Sequence, residues 1–227
     1  MNSDIVITSD STTDLSPELK ERYGIEICPL GVTLGGKIYI DGVDITPDDI
    51  YAHHDKTGEL PKTSATNVGK CLDFFRKFTE SGKTVIHFTI SSEMSSTYAN
   101  ACLAAEELEN VYVINTENLS TGGGLLVVAA AQMREDGLSA GEIVEKTKAL
   151  VPCVDASFVI DSLEYLYKGG RCSALAMFGA NLLRLKPCIQ VKNGKMDVAK
   201  KYRGKYDEVL KQYIREKVTD YSDIVLD

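Results

Sequence analysis

Segments with the pattern of buried strands alternate with segments of helical periodicity through the first 160 residues, and this alternation limits the fold more than any other feature. Ile5–Thr8 and Thr84–Ile90 are short, β-branched runs typical of strands, whereas Val68–Phe78 and Leu125–Glu135 repeat their apolar residues with a helical period. Strands separated by helices predict an α/β fold with a mainly parallel sheet flanked by helices.

Short local signals predict where several of these elements begin. Ser16 and Thr46 each precede a proline, which is typical of a helix N-cap followed by proline in the first turn. Ser139 with Glu142 three residues later predicts a capping box. Asn193-Gly194, between two short strand-like runs, predicts a β-hairpin with a two-residue turn.

The character of the chain changes near residue 150, and this change predicts two domains. Residues 1–150 contain the alternation of strands and helices and form the expected N-terminal α/β domain. Residues 151–227 contain the hairpin and one long helix, so we expect a smaller α/β domain with a mixed sheet. Ile224–Leu226 has the pattern of a strand that is just beginning, and we expect the second domain to be incomplete at its C-terminus.

Composition and charge exclude several classes of protein. The formal charge of −8 does not favour nucleic acid as a partner. The longest apolar run, Leu125–Ala131, is far shorter than the roughly 20 residues of a membrane-spanning helix. The first residues have neither the basic start nor the apolar stretch of a signal peptide, so we expect a cytoplasmic protein without a transmembrane segment.

Cysteine and histidine are too scattered to indicate a metal centre or a redox motif. The six cysteines include no CxxC pair, and the three histidines form no HExxH motif. Gly122–Gly124 could open a helix near a phosphate, but neither a GxxxxGK[ST] nor a GxGxxG motif accompanies these glycines. We therefore expect no metal and no cofactor.

Hydroxyl side chains are concentrated in four short segments that follow predicted strands. Any one of these segments alone is typical of a helix cap. Because ligands of α/β proteins bind at the carboxyl ends of parallel strands, several segments at one edge favour a metal-free site for a carboxylate or phosphate. The four segments are 8–14, 63–66, 91–97 and 115–117.

A nucleophilic serine is the alternative interpretation of these hydroxyls. Such a serine needs a base within hydrogen-bond reach, usually histidine. His87 lies in an apolar strand and is expected in the core, whereas His53 and His54 follow a predicted helix and are expected at the surface. No GxSxG motif is present. A serine-dependent hydrolase or acyltransferase is therefore kept as the alternative function.

Positive charge is concentrated late in the chain. Residues 184–217 contain eleven Lys or Arg residues against four acidic ones. A solvated face is the ordinary interpretation of such a segment, and a docking surface for an anionic ligand or an acidic partner is the functional one. Before it, Asp161–Arg171 ends in Gly-Gly-Arg, which is typical either of a helix C-cap with a surface arginine or of a guanidinium placed after a sharp backbone reversal.

Seven motifs follow one another along the whole chain. They are SDSTTDL at 9–15, PLGVTLGG at 29–36, PKTSATN at 61–67, SSEMSSTYANA at 91–101, IDSLEYLYKGGR at 160–171, LLRLKPCIQVKNGK at 182–195 and the Arg203-Gly204 region. One of these motifs alone would be a weak signal, whereas seven in this order are specific. In this combination the chain resembles the DegV family of bacterial fatty-acid-binding proteins.

The resemblance implies a two-domain α/β protein that holds one long-chain fatty acid, such as palmitate, stearate or oleate, in a tunnel between the domains. It places the hydroxyls that bind the carboxylate on Thr63, Ser64 and Ser95, with Ser96 beside them in a position where the family commonly has glycine. A site of this kind implies a lipid-binding protein rather than an enzyme.

The resemblance also implies a partner. Some members of the family act as the lipid-carrying subunit of bacterial fatty acid kinase and present the bound carboxylate to a separate kinase, which makes acyl-phosphate for phospholipid synthesis. The family's arginines near the pocket mouth, implicated in engaging the kinase, correspond to Arg171 and Arg203.

Overall fold

The computed structural model describes residues 4–162, 164–172 and 185–219. The strands are β1 (Ile5–Asp10), β2 (Glu26–Cys28), β3 (Gly31–Leu34), β4 (Lys37–Ile40), β5 (Lys62–Ser64), β6 (Thr84–Thr89), β7 (Val111–Asn115), β8 (Ser157–Val159), β9 (Leu185–Lys192) and β10 (Lys195–Arg203). The helices are α1 (Pro17–Tyr23), α2 (Pro47–Thr57), α3 (Val68–Thr79), α4 (Thr97–Ala105), α5 (Ser120–Glu135), α6 (Ala140–Leu150), α7 (Glu164–Gly169) and α8 (Tyr206–Thr219). Short 3-10 turns cover Ser11–Thr13 and Val151–Cys153.

The described residues form two compact units. The first comprises those within Met1–Asp155 and Asn193–Lys195, and the second those within Ala156–Lys192 and Met196–Asp227. The first unit is built on a parallel sheet with the strand order β2-β1-β6-β7. This sheet, with helices between its strands in the chain, confirms the predicted α/β fold.

Both faces of the parallel sheet are buried under helices. Ile86 and Phe88 of β6 lie in a core with α5 and α6, whereas Val85 lies in a second core with α3 and α4. All six residues of β1 are buried, because this strand pairs on both sides within the sheet. Strands buried on both faces have continuous apolar runs, which is why the sequence indicates them clearly.

A second, smaller sheet corrects one expectation from the sequence. Strand β3 pairs antiparallel with β4 across the turn at Gly35-Gly36, and antiparallel with β5 on its other side. Thr63 and Ser64 therefore lie within β5, not in a loop that follows a parallel strand. The Lys-Thr-Ser sequence of β5 is polar at every position, so it lacks the alternation that would have predicted a strand.

The predicted helix starts are confirmed at Ser16, Thr46 and Ser139, whose side chains all accept hydrogen bonds from the first turn. Helix α5 differs from the prediction, because it begins at Ser120 rather than at Leu125 and includes the glycine run. A Cβ atom on Gly124 would lie 2.9 Å from the Thr13 carbonyl oxygen. The glycines thus allow α5 to pack closely against the 3-10 turn that follows β1. No described helix is long and apolar enough to cross a membrane.

The second unit contains the predicted hairpin strands. Strands β9 and β10 are connected through Asn193-Gly194, whose φ angles of 50° and 75° fit a two-residue hairpin turn. Strand β8 pairs antiparallel with β9, and α8 is attached to β8 by Tyr213, which donates a 2.8 Å hydrogen bond to the Ser157 carbonyl. The strand expected at 224–226 lies outside the described residues.

His87 lies in the core of the first unit, as its apolar strand predicts. The imidazole is fully buried, its Nδ1 lies 2.8 Å from Thr8 Oγ1, and its ring packs edge-on against Phe75 with 5.0 Å between ring centroids. The Nε2 atom has no hydrogen-bond partner among the described residues. Burial lowers the pKa of His87 from 6.5 to about 3, because the core cannot solvate an imidazolium.

We expect His87 to make the fold less stable in mild acid. Between pH 6.5 and 3 the unfolded chain binds a proton that the native ring excludes, so the free energy of unfolding falls as the pH falls. From pH 7 to pH 5 this loss amounts to about 2 kcal/mol. Urea unfolding at both pH values measures it.

His87→Leu should remove this part of the pH dependence, although it also costs stability at pH 7. His53→Gln is the matched control, because His53 is on helix α2 and pairs with Glu59 outside the core. If the free energy of unfolding of His87→Leu depends on pH as steeply as that of the wild-type protein, other groups cause the acid sensitivity.

Candidate functional site

Three of the four hydroxyl-rich segments meet at one edge of the parallel sheet, which we call the carboxyl edge. They follow β1, β6 and β7, and parallel strands end on the same side of a sheet. Polar side chains are buried here to an unusual degree: Ser9, Asp10, Thr13, Thr89, Ser91, Thr97, Thr116 and Asn118. Buried polar groups are generally hydrogen-bonded, and the partners of these side chains define the geometry of this edge, except for Thr89, whose hydroxyl has no partner among the described residues.

Asp10, the last residue of β1, connects two loops at the carboxyl edge. Its Oδ1 accepts hydrogen bonds from the backbone N–H and the hydroxyl of Thr12, at 3.0 and 2.6 Å. Its Oδ2 accepts a 2.7 Å bond from the N–H of Ile90, where the loop after β6 begins. Burial raises the pKa of Asp10, while these hydrogen bonds act in the opposite direction.

The loop at residues 90–96, here called the serine loop, is organised around Ser91. The Ser91 carbonyl accepts hydrogen bonds from the N–H groups of Met94 and Ser95, at 3.0 and 3.1 Å. The Ser91 hydroxyl accepts a 3.2 Å bond from Glu93 N–H and donates a 2.7 Å bond to the Gly194 carbonyl. Ser91 therefore determines where Ser95 lies.

The loop after β7 holds the serine loop from the other side. The Asn115 side chain accepts a bond from Ser92 N–H at 3.1 Å and donates one to the Ser92 hydroxyl at 2.9 Å. The Asn118 carbonyl accepts a 2.9 Å bond from Ser91 N–H. The serine loop is thus attached to both neighbouring strands.

Ser95 and Ser96 lie where helix α4 begins. Ser95 is half-buried, and its hydroxyl accepts a 3.2 Å bond from Thr97 N–H and lies 2.9 Å from Thr97 Oγ1. Ser96 occupies the N-cap position but is exposed and makes no side-chain capping bond. The first N–H groups of a helix have no partner within the helix and attract anions, so this end of α4 suits a carboxylate.

Thr63 and Ser64 are exposed on β5, and their segment is attached to α4. The Asn100 side chain donates a 2.9 Å hydrogen bond to the carbonyl of Thr66. Asn100 is four residues from Ser96 on the same helix, so the structure brings the 63–66 segment near the start of α4. No local pattern in the sequence indicates this role of Asn100, because an asparagine within a helix is ordinary.

Arg171 and Arg203 both belong to the second unit and are exposed. Arg171 follows Gly170, whose φ of 70° directly after α7 is typical of the helix C-cap with a surface arginine. Arg203 is the last residue of β10. Part of the basic segment is paired, for example Lys200 with Glu216 at 2.7 Å.

The contacts of the histidines test the alternative that one of these serines is a nucleophile. His87 contacts Thr8, and His53 contacts Glu59 at 3.1 Å. The hydroxyls of Ser91 and Ser95 bond instead to the Gly194 carbonyl and to Thr97. Within the described residues, no group of three or more His, Cys, Asp or Glu side chains could hold a metal ion. Hydroxyl and N–H donors are thus concentrated at the carboxyl edge.

Known proteins resemble this chain over nearly its whole length. The profile of the DegV family, described as a family of uncharacterised proteins, matches residues 4–222. A DegV domain-containing protein of Clostridium acetobutylicum is 37% identical over 202 residues, which cover 88% of this chain and 72% of the relative.

Solved structures show the same fold. A DegV family protein from Thermus thermophilus, described as binding fatty acid, has a TM-score of 0.87 at 30% identity and covers 97% of this chain and 78% of its own. A stearic acid-binding protein from Eubacterium ventriosum has a TM-score of 0.82 at 34% identity. The aligned region covers 94% of this chain and 78% of that protein. By sequence and by fold, this chain belongs to the DegV family.

Proposed function

We propose that this protein binds one long-chain fatty acid non-covalently and does not act on it as an enzyme. The observation that carries the proposal is the similarity, over at least 94% of the chain, to DegV structures described as binding fatty acids. In this proposal the acyl chain is buried in the protein interior. The carboxylate binds to Thr63, Ser64, Ser95 and Ser96.

The chemistry at the start of α4 supports this assignment of the head group. Hydroxyls and backbone N–H groups bind a carboxylate without a metal or a cofactor, and hydrogen bonds to a charged group are the stronger ones. Ser95 already has its hydroxyl at the helix start, and the 63–66 segment is held to the same helix by Asn100. In this proposal the two segments supply the hydroxyls that bind one carboxylate.

The acyl chain supplies most of the affinity in this proposal. At about 0.8 kcal/mol per buried CH₂, a sixteen-carbon chain gains roughly 12 kcal/mol from burial. Losses of translational freedom and of chain flexibility on binding remove several kcal/mol or more from that gain. The hydroxyls then fix the position of the head group and supply a smaller part of the affinity.

Protein purified from bacteria should therefore contain one equivalent of palmitate, stearate, oleate or a similar acid. Organic extraction followed by mass spectrometry identifies the lipid, and an unchanged protein mass shows that it was not covalently bound. Stoichiometric nucleotide or sugar phosphate without lipid would contradict the proposal. A covalent adduct with a serine-directed fluorophosphonate would favour the alternative, a serine-dependent hydrolase or acyltransferase.

Removing the head-group hydroxyls should weaken binding but not abolish it. We expect Ser95→Ala, and Thr63→Ala combined with Ser64→Ala, each to cost about 1–3 kcal/mol in fatty-acid affinity, because hydrogen bonds to a charged group are lost. Ser81→Ala is the matched control, since its hydroxyl bonds the Phe78 carbonyl at the far end of α3. Unchanged affinity in folded variants would place the carboxylate elsewhere.

We further propose that the bound acid is presented in the cytoplasm to a separate kinase, which phosphorylates the carboxylate. The basic segment at 184–217 supports this, because a basic surface favours docking of an acidic partner. Arg171 and Arg203 are exposed and therefore accessible to such a partner.

Arg171→Ala and Arg203→Ala should lower the rate of acyl-phosphate formation and leave lipid binding nearly unchanged. The reason is that the guanidinium groups act on the kinase, whereas hydroxyls hold the lipid. The rate should also fall as salt rises, since salt screens attraction between charged surfaces. A binding assay and a reconstituted kinase assay measure both effects, with the exposed Arg76→Ala on α3 as control. Equal loss in both assays would instead place the arginines in the lipid site.

A further inference from the structure

We propose that Asp10 is a positioning residue for the head-group site, acting through the backbone N–H of Ile90 on the serine loop. The inference rests on the proposed function, because it takes Ser95 as part of the carboxylate site. Neither the sequence motif nor the resemblance assigns Asp10 such a role.

The geometry gives a short path from Asp10 to Ser95. The carboxylate accepts the Ile90 N–H at 2.7 Å, and Ile90 directly precedes Ser91. The Ser91 carbonyl then accepts the N–H groups of Met94 and Ser95. Ser95 in turn caps the start of α4 through Thr97 N–H. A shift of Ile90 therefore moves the turn that places the Ser95 hydroxyl.

The other oxygen of the carboxylate fixes Asp10 itself. Thr12 donates to Oδ1 from both its N–H and its hydroxyl, in the 3-10 turn on which α5 packs. Asp10 thus connects the serine loop to the 3-10 turn that follows β1, against which helix α5 packs. Other attachments of the serine loop come from β7 and the loop after it, through Asn115 and Asn118, and from the hairpin turn, through Gly194, whereas Asp10 supplies the attachment to β1.

Electrostatics argues that Asp10 acts indirectly and does not contact the ligand. The Asp10 side chain is buried, and its carboxylate would repel the carboxylate of a fatty acid placed beside it. Both oxygens of Asp10 already accept hydrogen bonds within the protein, from Thr12 and from Ile90. The titratable group that acts on it is Asp14, from its own loop, which raises the pKa of Asp10, and Asp10 in turn disfavours ionisation of the thiols of Cys28 on β2 and Cys71 on α3.

Asp10→Asn tests the inference, because asparagine keeps the shape but replaces one acceptor oxygen with an NH₂ donor. It can accept from Thr12 or from Ile90, but not from both sides. Asp14→Asn is the matched control: it removes the same charge from an exposed residue with a φ of 49°, a conformation that asparagine tolerates.

The measurement compares oleate with methyl oleate, which has the same chain but no carboxylate. We expect Asp10→Asn to bind oleate about tenfold more weakly, because one charge-assisted hydrogen bond to the carboxylate is lost. The affinity for methyl oleate should change by less than about twofold. A residue that only stabilises the fold would not distinguish the two ligands. Equal weakening of both ligands, or no weakening of oleate, would overturn the inference.

Hydrogen exchange on the ligand-free protein separates this inference from the proposed function. We expect Asp10→Asn to speed exchange at Ile90 and across the serine loop, while amides in β1 and β6 stay protected. If the wild-type protein does not bind oleate, the proposed function fails. Independently of that result, unchanged hydrogen exchange in the serine loop of Asp10→Asn would refute the positioning role. If Asp10→Asn does not fold, Asp10→Glu takes its place, because a carboxylate displaced by one methylene cannot hold both Thr12 and Ile90.

Discussion

The pairing of β1 with β6 in the middle of the parallel sheet is the interaction on which the rest of the first unit depends. Because helices cover both faces of these two strands, the strands separate one core under α5 and α6 from another under α3 and α4. The same pairing makes the two strands end at one edge. Loops that leave this edge begin in the protein interior, so their polar groups are buried and must find hydrogen-bond partners within the protein.

Much of the fold could be predicted from the sequence because its signals are local. The capping box at Ser139, the hairpin turn at Asn193-Gly194 and strand β6 each depend on a few neighbouring residues, and the structure confirms them. Strand β5 was missed because its pairing with β3 comes from tertiary structure rather than from an apolar pattern. The early start of α5 was missed because glycine weakens the helical signal where close packing requires it.

The candidate site was predictable in its chemistry but not in its geometry. Clusters of Ser and Thr after strands indicate hydroxyl donors at the carboxyl edge, whereas the choice of Ser95 within the segment 91–97 rests on the family resemblance. The hydrogen bonds of Asp10 to Ile90 and of Asn100 to Thr66 join residues 80 and 34 positions apart in the sequence. A single sequence has no signal for such pairs, because each residue is ordinary in its own local context.

The glycine run at the start of α5 has a consequence for the order in which the chain folds. Each glycine lowers the helical propensity of the first turn by roughly 1 kcal/mol relative to alanine, so this turn is weak in isolation. It gains stability when the backbone docks on the turn that follows β1, at the contact near Thr13. We therefore expect the later turns of α5 to form first and the glycine turn to close after β1 is in place, which couples completion of the helix to assembly of the sheet edge.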